Sequence, residues 1–150
     1  AIGIRSSRQI VGVHVLTAEE VINCATFEDV IAHGGYPIDI HPPEGNDKLV
    51  DQTKVIPFEK RHLKNGEIYS IPYRSLINNQ VQNLITVGRS ISATFEAQGA
   101  IRVSPIAGAI GHGGGVAAAL AIKTADANVH AIDVKQLQQK LREQNAYLMI

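Results

Sequence analysis

One stretch of this chain, G-R-S-I-S-A-T-F-E-A-Q-G-A-I-R-V-S-P-I-A-G-A-I-G-H-G-G-G-V-A-A-A-L-A at 88–121, has residue types and spacing that could do chemistry. If a helix starts near residue 110, glycines 111, 113, 114 and 115 present backbone N–H groups with no partner inside the helix. Those groups, with the positive end of the helix dipole, attract phosphate or another anionic oxygen. The surroundings exclude two familiar phosphate binders. No Lys-Ser or Lys-Thr follows the glycines, and Gly88, which ends the strand-like N-L-I-T-V at 83–87, stands too far from Gly111 for a G-x-G-x-x-G turn. A bland alternative explains the same letters. Glycine costs a helix interior about 1 kcal/mol per position, so a run of them can mark a helix packed very close to a sheet. Pattern alone leaves both readings open.

Other candidates are scattered. Arg5, Arg8 and Arg74 could pair with a carboxylate substrate, or could form structural ion pairs. His112 falls at the expected helix start, where it could touch a ligand or serve as a cap. His14 is expected to face outward from a strand. His41 borders Pro42-Pro43, with either a substrate-facing or a surface role. His33 and His62 show no metal-ligand spacing and are expected on the surface, so no metal site is expected. The single cysteine, Cys24, excludes an internal disulfide and any multi-cysteine metal site, and reads as a small apolar core residue.

The elements that must position these residues follow from periodicity. I-V-G-V-H-V-L at 10–16 is β-branched and apolar, which predicts a strand. Thr17 and Glu20 form a capping box ahead of a short helix at 18–23, with Leu16 and Val21 as its hydrophobic staple. F-E-D-V-I-A-H (27–33) reads as a second short helical piece ending at a left-handed cap on Gly34-Gly35. Residues 36–41 are expected to be extended, 42–66 to form a surface excursion, and 67–76 an edge strand containing Pro72. Helices are expected at 110–123 and at 134–144, the latter capped by Asp133. The result is a mixed α/β (α+β) fold, with an antiparallel sheet and short helices over 1–82 and a second unit over 83–150.

Bulk properties exclude several function classes. At 150 residues, with 45% hydrophobic and 19% charged side chains, the chain can bury a core and is not disordered. Fourteen basic and fourteen acidic side chains cancel, leaving no electrostatic footprint for nucleic acid. No basic leader precedes an apolar core, and no apolar run is read as approaching the roughly 20 residues of a membrane span. A cytoplasmic location without membrane contact is therefore expected. The chain begins at Ala1 within strand-like sequence, which suggests a piece of something longer.

The motif V-G-R-S-I-S-A-T-F-E-A-Q-G-A-I-R-V-S-P (87–105) followed by A-I-G-H-G-G-G-V-A-A-A-L-A resembles the carboxyl-terminal portion of a family of bacterial FAD-dependent oxidoreductases. G-I-R-S-S-R-Q-I-V-G (3–12), V-L-T (15–17), G-G-Y-P-I-D-I-H (34–41), I-P-Y-R-S-L-I (71–77) and the terminal D-V-K-Q-L-Q-Q-K-L-R-E-Q-N-A-Y-L agree with it, so the resemblance spans nearly the whole chain. It implies an antiparallel substrate-domain sheet over 1–82. It also implies a return to a partial Rossmann-type FAD-binding domain over 83–150. Gly88 and Arg89 would lie by the flavin's ribitol and pyrophosphate, and Arg102 and Pro105 by the isoalloxazine. The backbone at Ile110, Gly111 and His112 would face the flavin's pyrimidine edge. Ser6, Ser90 and Phe95 replace Glu, Cys and His of the family pattern, so no catalytic residue is carried over. The family's amino-terminal G-x-G-x-x-G unit is missing from these residues. The chain alone is accordingly expected to be inactive and to lack FAD. Its expected partners are that missing segment, a small-molecule substrate and, through exposed apolar surface, a second copy. The alternative is a non-catalytic scaffold or assembly domain that kept the fold.

Overall fold

Thr17 begins the first regular element in the computed structural model, which describes residues 8–40 and 61–149. Its hydroxyl accepts from the Glu20 N–H at 3.2 Å while a Glu20 carboxylate oxygen accepts from the Thr17 N–H at 2.8 Å. This reciprocal cap starts α1 (Ala18–Ile22) as the sequence predicts. The chain then turns through Cys24, half-buried at a left-handed φ of 51°. Cys24 is thus a turn residue and not the core residue expected.

The next element corrects the sequence reading. Residues 27–33 do not form a helix: Val30–Gly34 is a strand, β1, paired antiparallel with β2 (Tyr69–Pro72). The register sets His33 opposite Ser70 and Gly34 opposite Tyr69, with an irregularity between Val30 and Ala32. Four of the five β1 residues are buried, so V-I-A-H-G has no solvent face. A short apolar run buried on both faces looks the same to periodicity whether helix or strand. Gly34 does not cap a helix. It makes room for the Tyr69 ring, which a β-carbon at Gly34 would overlap.

Two expected strands, 10–16 and 83–87, are not strands of a sheet. Residues 10–16 are held by Ile10 N–H to Ser90 O (3.0 Å), Val13 N–H to Ile77 O (2.8 Å) and Leu16 N–H to Ser92 O (3.1 Å), with one isolated parallel bridge from Leu16 to Ala93. Residues 83–87 are tied by Thr86 N–H to Leu76 O at 2.8 Å and pair with no strand among the described residues. A one-turn 3-10 helix, Tyr73–Ser75, follows β2. Another, Gly88–Ser90, begins at a Gly88 φ of 66°, a conformation that favours glycine.

Three helices complete the fold: α2 (Phe95–Ile101), which the sequence reading passed over, α3 (Ser104–Thr124) and α4 (Val134–Glu143). Thr94 caps α2 through its hydroxyl, and Asp133 caps α4 by accepting from Lys135 N–H at 2.9 Å. α3 starts well before the expected position near residue 110. It spans 21 residues, and a window of it has a mean hydropathy of 1.4. By length and composition it could cross a membrane, contrary to the expectation that no stretch approaches that length. Here 39% of that window is buried, on faces that meet β1, α4 and residues 85–87.

Leu16, Val21, Ile31, Tyr69, Ile71, Leu76, Ile91, Ile101, Ile110, Leu137 and Leu141 belong to one buried cluster that draws on residues from both sides of position 82. Each fully buried aliphatic side chain contributes about 1.5–3 kcal/mol. Gln138 joins α4 to the start of β1 by donating to the carbonyls of Glu28 (2.7 Å) and Val30 (3.1 Å).

Candidate functional site

The observed start of α3 moves the helix-end chemistry away from the glycines. Ile110, Gly111 and His112 lie inside the helix, where the ladder of backbone hydrogen bonds takes their N–H groups. Ile110 is fully buried in the core. The first turn of α3 is Ser104–Pro105–Ile106. Its N-cap, Val103, supplies no side-chain acceptor, and Pro105 has no N–H, so the N–H groups of Ser104 and Ile106 stand outside the helical ladder.

This helix start borders a cavity of about 380 Å³ lined by Tyr36, Asp39, Arg89, Arg102, Val103, Ser104 and Pro105. Three of the sequence-predicted residues, Arg89, Arg102 and Pro105, therefore meet in one place, with Gly88 beside them in the chain. Their positions are fixed by main-chain contacts. Arg89 Nε donates to the Arg102 carbonyl at 3.1 Å, and Arg102 Nη2 donates to the Asp39 carbonyl at 2.7 Å. Two guanidinium groups and a helix amino end suit an anionic or electron-rich edge. Asp39 gives the cavity one carboxylate of its own. The volume falls within the range of small-molecule sites and is small for a whole dinucleotide.

Gly111 and His112 line a different cavity, of about 440 Å³, between α3 and α4, with Gly115, Val116, Ala119, Leu120, Lys123, Lys140 and Gln144. There the His112 ring nitrogen Nε2 lies 2.7 Å from Gln144 Oε1. The structure thus divides the expected flavin residues into two groups.

The arginines considered for substrate separate likewise. Arg74 is engaged with Asp29: Nε lies 3.0 Å from Oδ2 and Nη2 3.2 Å from Oδ1, while the Arg74 N–H adds a third bond at 2.9 Å. The Asp29 hydrogen bond pushes the Arg74 guanidinium pKa further up. This is the structural ion-pair reading. Arg8 is exposed, and Arg5 and His41 lie outside the described residues. His62 is exposed, as expected.

Two histidines depart from simple surface roles. His14 approaches both carboxylate oxygens of Glu20, at 3.1 and 3.2 Å, and packs edge-on to Phe27. His14 thereby extends the capping box. His33, expected on the surface, is half-buried in β1 and contacts β2 and the carboxyl-terminal segment. No cluster of His, Cys, Asp and Glu suited to a metal occurs among the described residues. Tyr36 and Ser104 are site residues that sequence reasoning missed. For Ser104 the available signal was Pro105, since Pro favours the first helical turn.

Comparison with curated proteins and with solved structures finds no match. The family model described as FAD dependent oxidoreductase matches residues 1–141. Since that match takes in nearly all of its length, the chain belongs to the FAD-dependent oxidoreductase family.

Proposed function

We propose that this chain supplies the flavin-ring side of an FAD-dependent oxidoreductase site, and that the cavity at the start of α3 is where it does so. The observation that carries the reading is the convergence of Arg89, Arg102 and the uncapped first turn of α3 on one cavity. Gly88, Arg89, Arg102, Ser104 and Pro105 would hold the cofactor. When bound, FAD supplies two-electron transfer between a small-molecule substrate and an acceptor. The chain's own residues bind and orient. Arg102 and the Ser104 and Ile106 N–H groups offer positive charge to the cofactor's electron-rich edge, and the short 3-10 turn at Gly88–Ser90 sets Arg89 beside it.

The ADP half of FAD, on this reading, is held by a G-x-G-x-x-G segment that these 150 residues do not contain, so the chain alone is inactive and holds little flavin. Exposed Val81, Leu84 and Val87, at 41–43% exposure, and Ile122 at 72% supply apolar surface for that segment or for self-association.

The test is the flavin-to-protein absorbance ratio of the full-length gene product after incubation with FAD. Bound flavin is expected, with Arg102→Gln and Arg89→Gln each weakening flavin binding about tenfold, the scale of a charge-assisted hydrogen bond. Thermal melts of the variants separate lost binding from lost folding. A full-length product that takes up no flavin overturns the proposal.

A further inference from the structure

His33 joins two parts of the chain far apart in sequence. On one side, its Nδ1 lies 3.4 Å from the Tyr69 carbonyl and 3.3 Å from Ser70 Oγ, both on β2. On the other, its Nε2 accepts from the Met149 N–H at 3.0 Å, and the Tyr147 ring stands edge-on at 6.1 Å. The segment reaches His33 because α4 ends in a tight reversal. Asn145 takes a φ of 63°, Asn145 N–H bonds to Arg142 O and Ala146 N–H to Leu141 O, each at 2.9 Å. Those bonds belong to the helix end. Beyond them, the Met149 bond to His33 and the packing of Leu148 on the core hold the segment down.

We propose that residues 147–149 form an acid-released latch on β1, closed while His33 is neutral and opened when it is protonated. The geometry requires the neutral ring: an Nε2 that accepts from Met149 carries no hydrogen, and a protonated Nε2 would set one N–H against another. Burial, the largest influence, lowers the His33 pKa from its ordinary 6.5, outweighing the Tyr69 carbonyl, which favours the charged ring. No carboxylate or cation contributes to that shift. The groups facing the ring are the Ser70 hydroxyl and Tyr69 carbonyl from β2 and the Tyr147 phenol from the latch itself. The helices packed on β1 reach it through Gly113 of α3 and the neutral Gln138 of α4.

The sign follows. Because the Met149 N–H occupies the Nε2 lone pair, the closed latch favours the neutral ring, so it is favoured at higher pH and weakens as pH falls through the His33 titration, by at most about tenfold per pH unit. Opening frees the segment Y-L-M at 147–149.

Nuclear magnetic resonance of the whole chain tests this. The backbone order of Tyr147, Leu148 and Met149 is measured from pH 8 to 5, and the His33 pKa is measured with and without residues 147–150. The expected result is loss of order towards pH 5, with a His33 pKa below 6.5 that rises when the segment is deleted. Order that persists unchanged at pH 5, or a His33 pKa that deletion leaves unmoved or lowers, overturns the latch. Chemical-shift dispersion of the remaining amides shows that the shortened chain is folded when its His33 pKa is read.

Discussion

Gly113 lies so close to Ile31 that a β-carbon on it would stand 2.8 Å from Ile31 Cδ1 and 3.1 Å from Ile31 Cβ. Its neighbour Gly114 is tighter still, against Val87 and Ile85, whereas a β-carbon on Gly108, Gly111 or Gly115 would meet nothing within 4 Å. The glycine run thus contains two kinds of position: two that let α3 settle onto β1 and residues 85–87, and three that face open space.

The two kinds should respond oppositely to alanine. Gly114→Ala forces a methyl into the Val87 side chain and should destabilise by about 1–3 kcal/mol, the usual range for overpacking. Gly108→Ala and Gly115→Ala should stabilise by up to about 1 kcal/mol each, since alanine is the better helix former. Urea denaturation reads both. Equal losses at Gly114 and Gly115 would contradict the packing account.

The Arg74–Asp29 pair should matter to folding. The Asp29 side chain is 10% exposed and that of Arg74 49%, so truncating Arg74 leaves a mostly buried carboxylate with only the residue 74 N–H as partner among the described residues. Arg74→Ala is expected to cost about 1–3 kcal/mol, the penalty of a buried group losing its partner. Arg8→Ala, at an exposed position, should stay within about 0.5 kcal/mol. Thermal melts that rank them the other way would return Arg74 to the substrate-binding candidates.

Tyr69 is fully buried, and its hydroxyl has no hydrogen-bond partner among the described residues. Burial drives its phenol pKa well above the ordinary value. Tyr69→Phe keeps the ring against Gly34 and removes an unpaired polar atom. It should be neutral or stabilising by about 1 kcal/mol. A loss of more than that would mean that the hydroxyl has a partner outside the described residues.

Thr17→Ala should loosen α1 by about 1 kcal/mol, the usual worth of an N-cap. Because Glu20 also meets His14, Glu20→Ala removes two contacts. It is expected to cost more than Thr17→Ala in the same chemical melt, and an equal or smaller cost would place His14 outside the cap.

What the sequence determined by itself was local and dense. Thr17 and Glu20 sit one helical turn apart, and Asp133 precedes an amphipathic stretch, so α1 and α4 were legible: their caps and faces are set within a few residues. The family motif was legible too, because its residues recur in order along the chain. The tertiary structure decided the rest. Val30–Gly34 is a strand because Tyr69–Pro72 lies beside it, whereas residues 10–16 make only an isolated bridge to Ala93 and residues 83–87 pair with no strand among the described residues. No local pattern carries that information, since strand pairing joins residues remote in sequence. The start of α3 moved from the glycines to Ser104 for a related reason. Helix length is set by what its faces pack against, and Gly113 and Gly114 pack as interior positions of a helix whose first turn, with Arg89 and Arg102, borders the cavity. Residue types named the ingredients of the site, and only packing showed that Arg89, Arg102 and Pro105 meet while Gly111 and His112 face elsewhere.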